Sequence, residues 1–128
     1  MDTRVFNPSV IFSVMPDLLS YLSVTLLVAV SSIVLGSLLG MGLTWAKLGR
    51  LRVLRWLAHG YTYIMKCTPP IVLLFIVFYG LPKLIESMTD YDINDTNRAL
   101  FAIITFTLLF GAYISEVFRA AYQAVPKG

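Results

Sequence analysis

The sequence predicts an all-α integral membrane protein with three transmembrane helices, and three observations support this fold class. Of the 128 residues, 58% are hydrophobic and only 13% are charged, whereas a soluble domain carries about a quarter charged residues. Three uncharged stretches approach or exceed the length of about 20 residues that a helix needs to cross a bilayer. The connections between these stretches differ in charge. We therefore predict a single membrane domain whose surroundings are the lipid bilayer.

The first uncharged stretch has 29 residues between Asp17 and Lys47, and it predicts a first span over residues 18–45. Within it, three small residues at four-residue spacing share one helix face. Such faces let two helix backbones approach closely within lipid. Glycine is also frequent in membrane helices generally, but the alignment of three small residues favours a packed face. The predicted packing residues are Ser32, Gly36 and Gly40.

The second uncharged stretch, residues 67–82, holds 16 residues. This length corresponds to about 24 Å of helix, against a hydrocarbon core of about 30 Å. We therefore predict that the helix begins earlier and that the second span covers residues 56–82. Lys66 then lies within the membrane, where its side chain either extends to the interface or faces a polar interior.

Two prolines interrupt the predicted second span. Pro69 and Pro70 each remove a backbone donor and crowd the preceding turn, so a kink or break is expected near Thr68. Backbone groups freed at membrane depth are tolerated only where protein or a water-filled cavity satisfies them. The sequence therefore places this stretch against the protein interior.

The third uncharged stretch has 17 residues and predicts a third span over residues 99–119. The helix should continue towards Ala124, because Pro126 disfavours helical geometry at the residue before it. Glu116 and Arg119 are three residues apart and share a helix face. A local ion pair between them is the simplest interpretation of two charges in or near a membrane helix.

The charges of the connections predict the topology. The first connection is basic and contains no acid, so the positive-inside rule places it in the cytoplasm. The second connection, residues 83–98, is predicted to be an acidic external loop. The N-terminus then lies outside, with residues 1–17 as an extracytoplasmic interfacial segment, and residues 120–128 lie in the cytoplasm. The basic residues are Lys47, Arg50, Arg52 and Arg55, and the acidic ones are Glu86, Asp90, Asp92 and Asp95.

Composition and spacing exclude several function classes. The net charge is +3, but the basic residues lie between apolar stretches and not on one soluble face, which argues against a nucleic-acid partner. His59 is the only histidine and Cys67 the only cysteine, so neither a disulfide nor a metal-ligand set is expected. A nucleophile with its base and a glycine-rich phosphate loop are also missing. We therefore predict no enzymatic activity and no cofactor in this chain.

Two segments are more specific than any periodicity. Residues 66–70 read Lys-Cys-Thr-Pro-Pro and lead through an apolar stretch to Phe-Tyr-Gly-Leu-Pro at residues 78–82. Residues 111–119 read Gly-Ala-Tyr-Ile-Ser-Glu-Val-Phe-Arg and are followed by Val-Pro-Lys-Gly at residues 125–128. The former segment resembles the Arg-Gly-Thr-Pro and Tyr-Tyr-Gly-Leu-Pro signature of the polar amino-acid ABC transporter permease family. The latter segment is similar to the approach to the Glu-Ala-Ala (EAA) loop of the same family.

This resemblance implies the N-terminal part of a five-span permease subunit of a type I ABC importer in the bacterial inner membrane. Its implied partners are a second permease subunit (the same or a different one), an ATPase subunit that binds ATP, and an extracytoplasmic amino-acid-binding protein. Transport would proceed by alternating access. The residues that match the transport motifs are Lys66, Thr68, Pro69, Glu116 and Arg119, and the coupling loop would start at Pro126, Lys127 and Gly128.

The sequence departs from the family pattern in two respects. Lys66-Cys67 replaces the usual Arg-Gly, which keeps the charge but loses the planar guanidinium. The sequence also ends at Gly128, ahead of the Glu-Ala-Ala stretch that forms the coupling helix. This leaves an alternative of a different class: a truncated, non-transporting membrane protein that only associates with a partner permease. A small channel is a third interpretation, with Lys66 and His59 as its interior polar candidates.

Overall fold

The described part of the chain is helical, which confirms the all-α prediction. The computed structural model describes residues 7–90 and 97–126. In these two ranges every regular element is a helix, and three helical segments are long and apolar enough to cross a membrane, the predicted number. The elements are α1 (Pro8–Ser20), α2 (Leu22–Leu48), α3 (Arg52–Cys67), α4 (Pro70–Phe75), a π-helical turn (Ile76–Gly80), α5 (Leu81–Thr89) and α6 (Arg98–Ala124).

Helix α1 precedes the first candidate span and is exposed along its whole length. The Oδ1 atom of Asn7 accepts a hydrogen bond of 3.1 Å from the backbone N–H of Ser9, and Pro8 occupies the first helical position, where no donor is needed. The interfacial segment was predicted for residues 1–17. The helix continues to Ser20, and residues 1–6 lie outside the described residues.

The chain breaks at Thr68 and Pro69, where both residues adopt extended backbone geometry between α3 and α4. Pro70 then starts a new helix at its first position, as the missing N–H permits. The apolar candidate span is Pro70–Thr89, and it differs from the predicted range of 56–82. Residues 83–89, assigned to the external loop by the sequence, continue the helix instead.

The boundary differs because α3 is amphipathic. Its polar residues follow one another at intervals of three, four and seven residues, so they lie along one face of the helix. Because of this polar face, α3 is not part of the apolar span. These residues are Arg52, Arg55, His59 and Lys66.

Helix α6 is longer than the predicted third span. The Oδ1 atom of Asn97 caps it by accepting a 3.0 Å hydrogen bond from the backbone N–H of Ala99. The helix ends at Ala124, and Val125 is extended, as expected for a residue that precedes proline. Residues 120–124, predicted to begin the coupling loop, are therefore helical. Which end of each helix faces the cytoplasm stays a prediction based on charge.

Helix α6 is the centre of the fold. It runs parallel to α2, since Gly36 lies near Phe110 and Lys47 near Glu116. On another side it packs antiparallel to α3 and to the helical segment that follows the break. The apolar core there consists of Leu73, Val77, Phe101 and Leu109, with Met65, Phe78, Leu81, Ile104 and Leu108 packed against it.

Candidate functional site

The predicted small-residue face of α2 lies against α6. A Cβ atom built on Gly36 would lie 2.6 Å from Cδ1 of Phe110, and one built on Gly40 would collide with Cγ2 of Ile114 and lie 3.2 Å from the carbonyl oxygen of Gly111. A side chain at either position would require Phe110 or Ile114 to shift, so glycine lets the two backbones approach closely. The three predicted packing residues, Ser32, Gly36 and Gly40, are all buried.

About two helical turns beyond Gly40, three charged residues form a connected group that we call the charged cluster: Lys47, Glu116 and Arg119. The ammonium Nζ of Lys47 donates to Oε1 of Glu116 at 2.7 Å. The other carboxylate oxygen of Glu116 accepts from Nη2 of Arg119, also at 2.7 Å. The Lys47 side chain has 0% exposure, while that of Glu116 is 26% exposed. The cluster therefore joins the C-terminal end of α2 to α6 by a buried ion pair.

Neutral groups complete the surroundings of the Lys47 ammonium. Its Nζ also donates to Oγ of Ser115 at 2.9 Å, and that hydroxyl in turn donates to the carbonyl oxygen of Ala112 at 2.7 Å. The Thr44 hydroxyl lies 2.7 Å from the carbonyl oxygen of Gly40 and 3.1 Å from that of Ser115. A buried charge is tolerated where such hydrogen bonds satisfy it.

Sequence reasoning identified Glu116 and Arg119 as site residues but not Lys47, which it took as the flank of the first span and as a basic residue of the first connection, whereas Lys47 lies buried within α2. The spacing of residues along α2 could have indicated the role of Lys47. Gly36, Gly40 and Lys47 are separated by four and seven residues, so the lysine continues the small-residue face of α2. A charge on a face that packs closely needs a partner on the facing helix.

The predicted motif residues around the break lie in a different environment from the charged cluster. Lys66 and Pro69 are exposed, and Thr68 is half-buried. The hydroxyl of Thr68 donates to the carbonyl oxygen of Ile64 at 2.8 Å. The carbonyl oxygen of Pro69 accepts the 3.1 Å hydrogen bond from the backbone N–H of Leu73 that opens α4. The break is thus held by local hydrogen bonds on both sides.

A groove of about 600 Å³ lies between α3 and α6. Its polar lining comes from His59, Thr62 and Lys66 on α3 and from Glu116 on α6. Next to the groove, the Tyr61 hydroxyl on α3 donates a 2.9 Å hydrogen bond to the carbonyl oxygen of Leu108 on α6. The structure thus brings Lys66 and Glu116 to one groove, whereas Thr68 and Pro69 do not line it.

The remaining site predictions concern the end of the chain and metal binding. Pro126 is exposed, and Lys127 and Gly128 lie outside the described residues. Across residues 7–90 and 97–126, no group of three or more His, Cys, Asp or Glu side chains is placed to hold a metal ion.

Comparisons with known proteins agree with the motif resemblance. The family model described as "Binding-protein-dependent transport system inner membrane component" matches residues 32–128. The chain is 41% identical over 108 residues to the histidine/lysine/arginine/ornithine transport system permease protein HisQ of Salmonella typhimurium, covering 82% of this chain and 47% of that protein. It is 34% identical over 113 residues to the arginine transport system permease protein ArtQ of Bacillus subtilis, covering 88% and 48%.

The fold is also similar to a solved one. The crystal structure of an amino acid ABC transporter with histidines matches with a TM-score of 0.77 at 20% identity, covering 95% of this chain and 53% of that chain. At this identity the likeness establishes the fold alone. This chain spans about half the length of the curated relatives that it matches. Because the family model covers all but the first 31 residues, the chain belongs to the family of binding-protein-dependent transport system inner membrane components.

Proposed function

We propose that this chain is part of the permease subunit of a bacterial ABC importer for polar amino acids. The observation that supports this most strongly is its 41% identity to HisQ of Salmonella typhimurium, a permease protein for histidine, lysine, arginine and ornithine. The similarity to ArtQ of Bacillus subtilis, a permease protein for arginine, points to the same class of substrate. The chain acts as a membrane pathway and not as an enzyme.

The proposed partners follow from this role. A second permease subunit completes the pathway, an ATPase subunit binds ATP and drives the cycle, and an extracytoplasmic binding protein delivers the amino acid. The complex lies in the bacterial inner membrane. In this proposal the first connection, with Arg50, Arg52 and Arg55, faces the cytoplasm.

Alternating access needs parts that stay rigid and parts that move. Helices α2 and α6 form the rigid part, because glycine contacts and the buried charged cluster hold them together. The break at Thr68 and Pro69 is the point where the segment Pro70–Thr89 changes its angle to α3, because both residues are extended and interrupt the helix there. Glu116 and Arg119 stabilise the C-terminal half of α6 through this motion.

Uptake of labelled amino acids tests the proposal. The complete subunit that contains this chain, with its ATPase and binding protein, is expressed in cells that lack their own uptake of arginine, histidine and glutamine. We expect ATP-dependent accumulation of at least one of them. An assembled complex that accumulates none of the three would refute the proposed substrate class.

The same assay tests the residue roles. Glu116→Gln and Pro69→Ala should each reduce uptake, whereas Lys83→Gln, at an exposed position away from the break and cluster, should not. Wild-type uptake in both of the first two variants would remove the roles given to the cluster and the break.

Cysteine labelling tests the orientation. In a complete subunit whose Cys67 and any cysteine outside residues 1–128 are replaced by serine, cysteines introduced at Ser87 and Arg50 report the two ends of the helices, since both positions are exposed. A membrane-impermeant maleimide should label the cysteine at position 87 in intact cells and the cysteine at position 50 only after permeabilisation. The reverse pattern would invert the topology.

A further inference from the structure

The turn between α2 and α3 carries the densest positive charge of the described chain. We call residues 49–57 the basic elbow. Arg50, Arg52 and Arg55 are all exposed there, and no acidic residue occurs between Asp17 and Glu86. Within residues 7–90 and 97–126, the salt bridges are those of the charged cluster, so none of the three arginines has a carboxylate partner. The elbow therefore presents three uncompensated positive charges.

The basic elbow is also apolar on its outer side. Val53 and Trp56 are 72% and 75% exposed, and Leu51 and Leu57 are exposed as well. The residues at positions 53, 56 and 57 are three and four apart and share a helix face, while Arg52 and Arg55 share the neighbouring one. A hollow of about 320 Å³, lined by Leu51, Arg52, Val53, Leu54 and Leu57, lies in this surface.

The elbow has a defined shape. Nη2 of Arg55 donates a 2.6 Å hydrogen bond to the carbonyl oxygen of Gly49, which closes the turn. This bond uses one edge of the guanidinium and leaves its other N–H groups available. The turn thus holds arginine N–H donors beside an exposed tryptophan and a small apolar hollow.

We propose that the basic elbow binds the headgroups of anionic phospholipids at the membrane surface. Guanidinium groups bind phosphate through paired, charge-assisted hydrogen bonds. Tryptophan favours the headgroup level of a bilayer, and the hollow at Leu51 and Leu57 accepts the upper part of an acyl chain. An acidic protein surface would satisfy the arginines but would leave Val53 and Trp56 exposed to water. The inference depends on insertion into a membrane and not on the proposed substrate.

Fluorescence quenching of Trp56 tests the proposal. The 128 residues contain two tryptophans, so the test uses the complete subunit with Trp45→Phe and with any tryptophan outside these residues also replaced by phenylalanine, which leaves Trp56 as the reporter. The protein is reconstituted into vesicles that contain either brominated phosphatidylglycerol or brominated phosphatidylcholine at the same mole fraction. We expect the anionic lipid to be favoured at Trp56 by at least about fivefold at low salt, the effect of one basic residue near a charged surface.

Variants separate specific binding from general attraction. Arg50→Gln with Arg52→Gln, which leaves the Arg55–Gly49 bond intact, should lower the preference by at least about fivefold from its wild-type value, since each arginine contributes about fivefold. A matched pair, Lys83→Gln with Arg98→Gln, removes two exposed basic residues elsewhere and should leave it unchanged. Raising the salt to about 1 M, where the screening length is about 3 Å, should also reduce it.

Two outcomes would overturn the proposal. One is equal quenching by the two brominated lipids in the otherwise wild-type protein. The other is a preference that stays at its wild-type value when Arg50 and Arg52 are replaced. If those two substitutions instead abolish binding of the ATPase subunit while quenching by the two lipids is equal, the elbow is a protein-binding surface and the lipid assignment is wrong.

Discussion

Replacing Glu116 with glutamine should destabilise the protein more than replacing Lys47 with methionine, although both changes break the same 2.7 Å ion pair. In Glu116→Gln the Lys47 ammonium keeps only neutral partners, chiefly Oγ of Ser115, at a site of 0% exposure. An unpaired buried charge costs about 3–5 kcal/mol. In Lys47→Met the Glu116 carboxylate keeps its 2.7 Å ion pair with Arg119, and its side chain is already 26% exposed. The expected cost is therefore about 1–2 kcal/mol.

The double variant Lys47→Met with Glu116→Gln provides the decisive measurement. It contains neither buried charge, and a methionine fills the lysine site with an apolar chain of similar length. Its cost should therefore fall below that of Glu116→Gln alone, with a coupling free energy of at least about 2 kcal/mol. The assay is the free energy of unfolding in mixed micelles, from denaturing-detergent titration followed by circular dichroism.

The control is Lys83→Met, which removes an exposed lysine and should change the free energy of unfolding by less than about 0.5 kcal/mol. Additive effects of the two cluster substitutions would refute the reasoning, because independent residues do not couple. A greater loss in Lys47→Met than in Glu116→Gln would also refute it, since Arg119 would then not compensate the carboxylate.

Three further predictions use the same unfolding measurement. Gly40→Ala should cost about 1–3 kcal/mol by overpacking, because the new methyl group meets Ile114 on α6, whereas Gly42→Ala, with nothing within 4 Å, should be neutral or slightly stabilising; equal effects would contradict the close packing. Tyr61→Phe should cost about 1 kcal/mol through loss of the hydrogen bond from its hydroxyl to α6. The control is Tyr63→Phe at an exposed position; if it costs as much as Tyr61→Phe, the Tyr61 hydrogen bond contributes nothing to stability. Ser32→Ala should leave stability unchanged or raise it by up to about 1 kcal/mol, because the buried hydroxyl has no partner among the described residues; a clear loss would reveal one.

Local sequence was sufficient for features that depend on neighbouring residues. The break at Thr68 and Pro69 follows from two consecutive prolines, and the end of α6 at Ala124 follows from Pro126. The alignment of small residues on α2 follows from four-residue spacing alone. Each of these depends on backbone geometry within one turn of helix, and such geometry is encoded in a few adjacent residues.

Features that depend on contacts between helices distant in the sequence were harder to predict from the sequence. The sequence shows that Lys47 follows an apolar stretch, but the offset between α2 and α6 decides whether it meets water or Glu116. That offset arises from the sum of all contacts along the pair. The second candidate span starts at Pro70 and not at the predicted residue 56, because the amphipathic pattern of α3 separates it from the apolar segment.

The pairing of α2 with α6 has a consequence for biosynthesis. Lys47 and Glu116 are 69 residues apart, so at about 5–20 residues per second the ribosome needs about 3–14 s to synthesise the second partner after the first. During this interval the nascent α2 has no helix to cover its glycine face and no carboxylate for its lysine. We therefore expect the lysine end of α2 to stay at the aqueous surface until α6 enters the membrane and supplies Glu116.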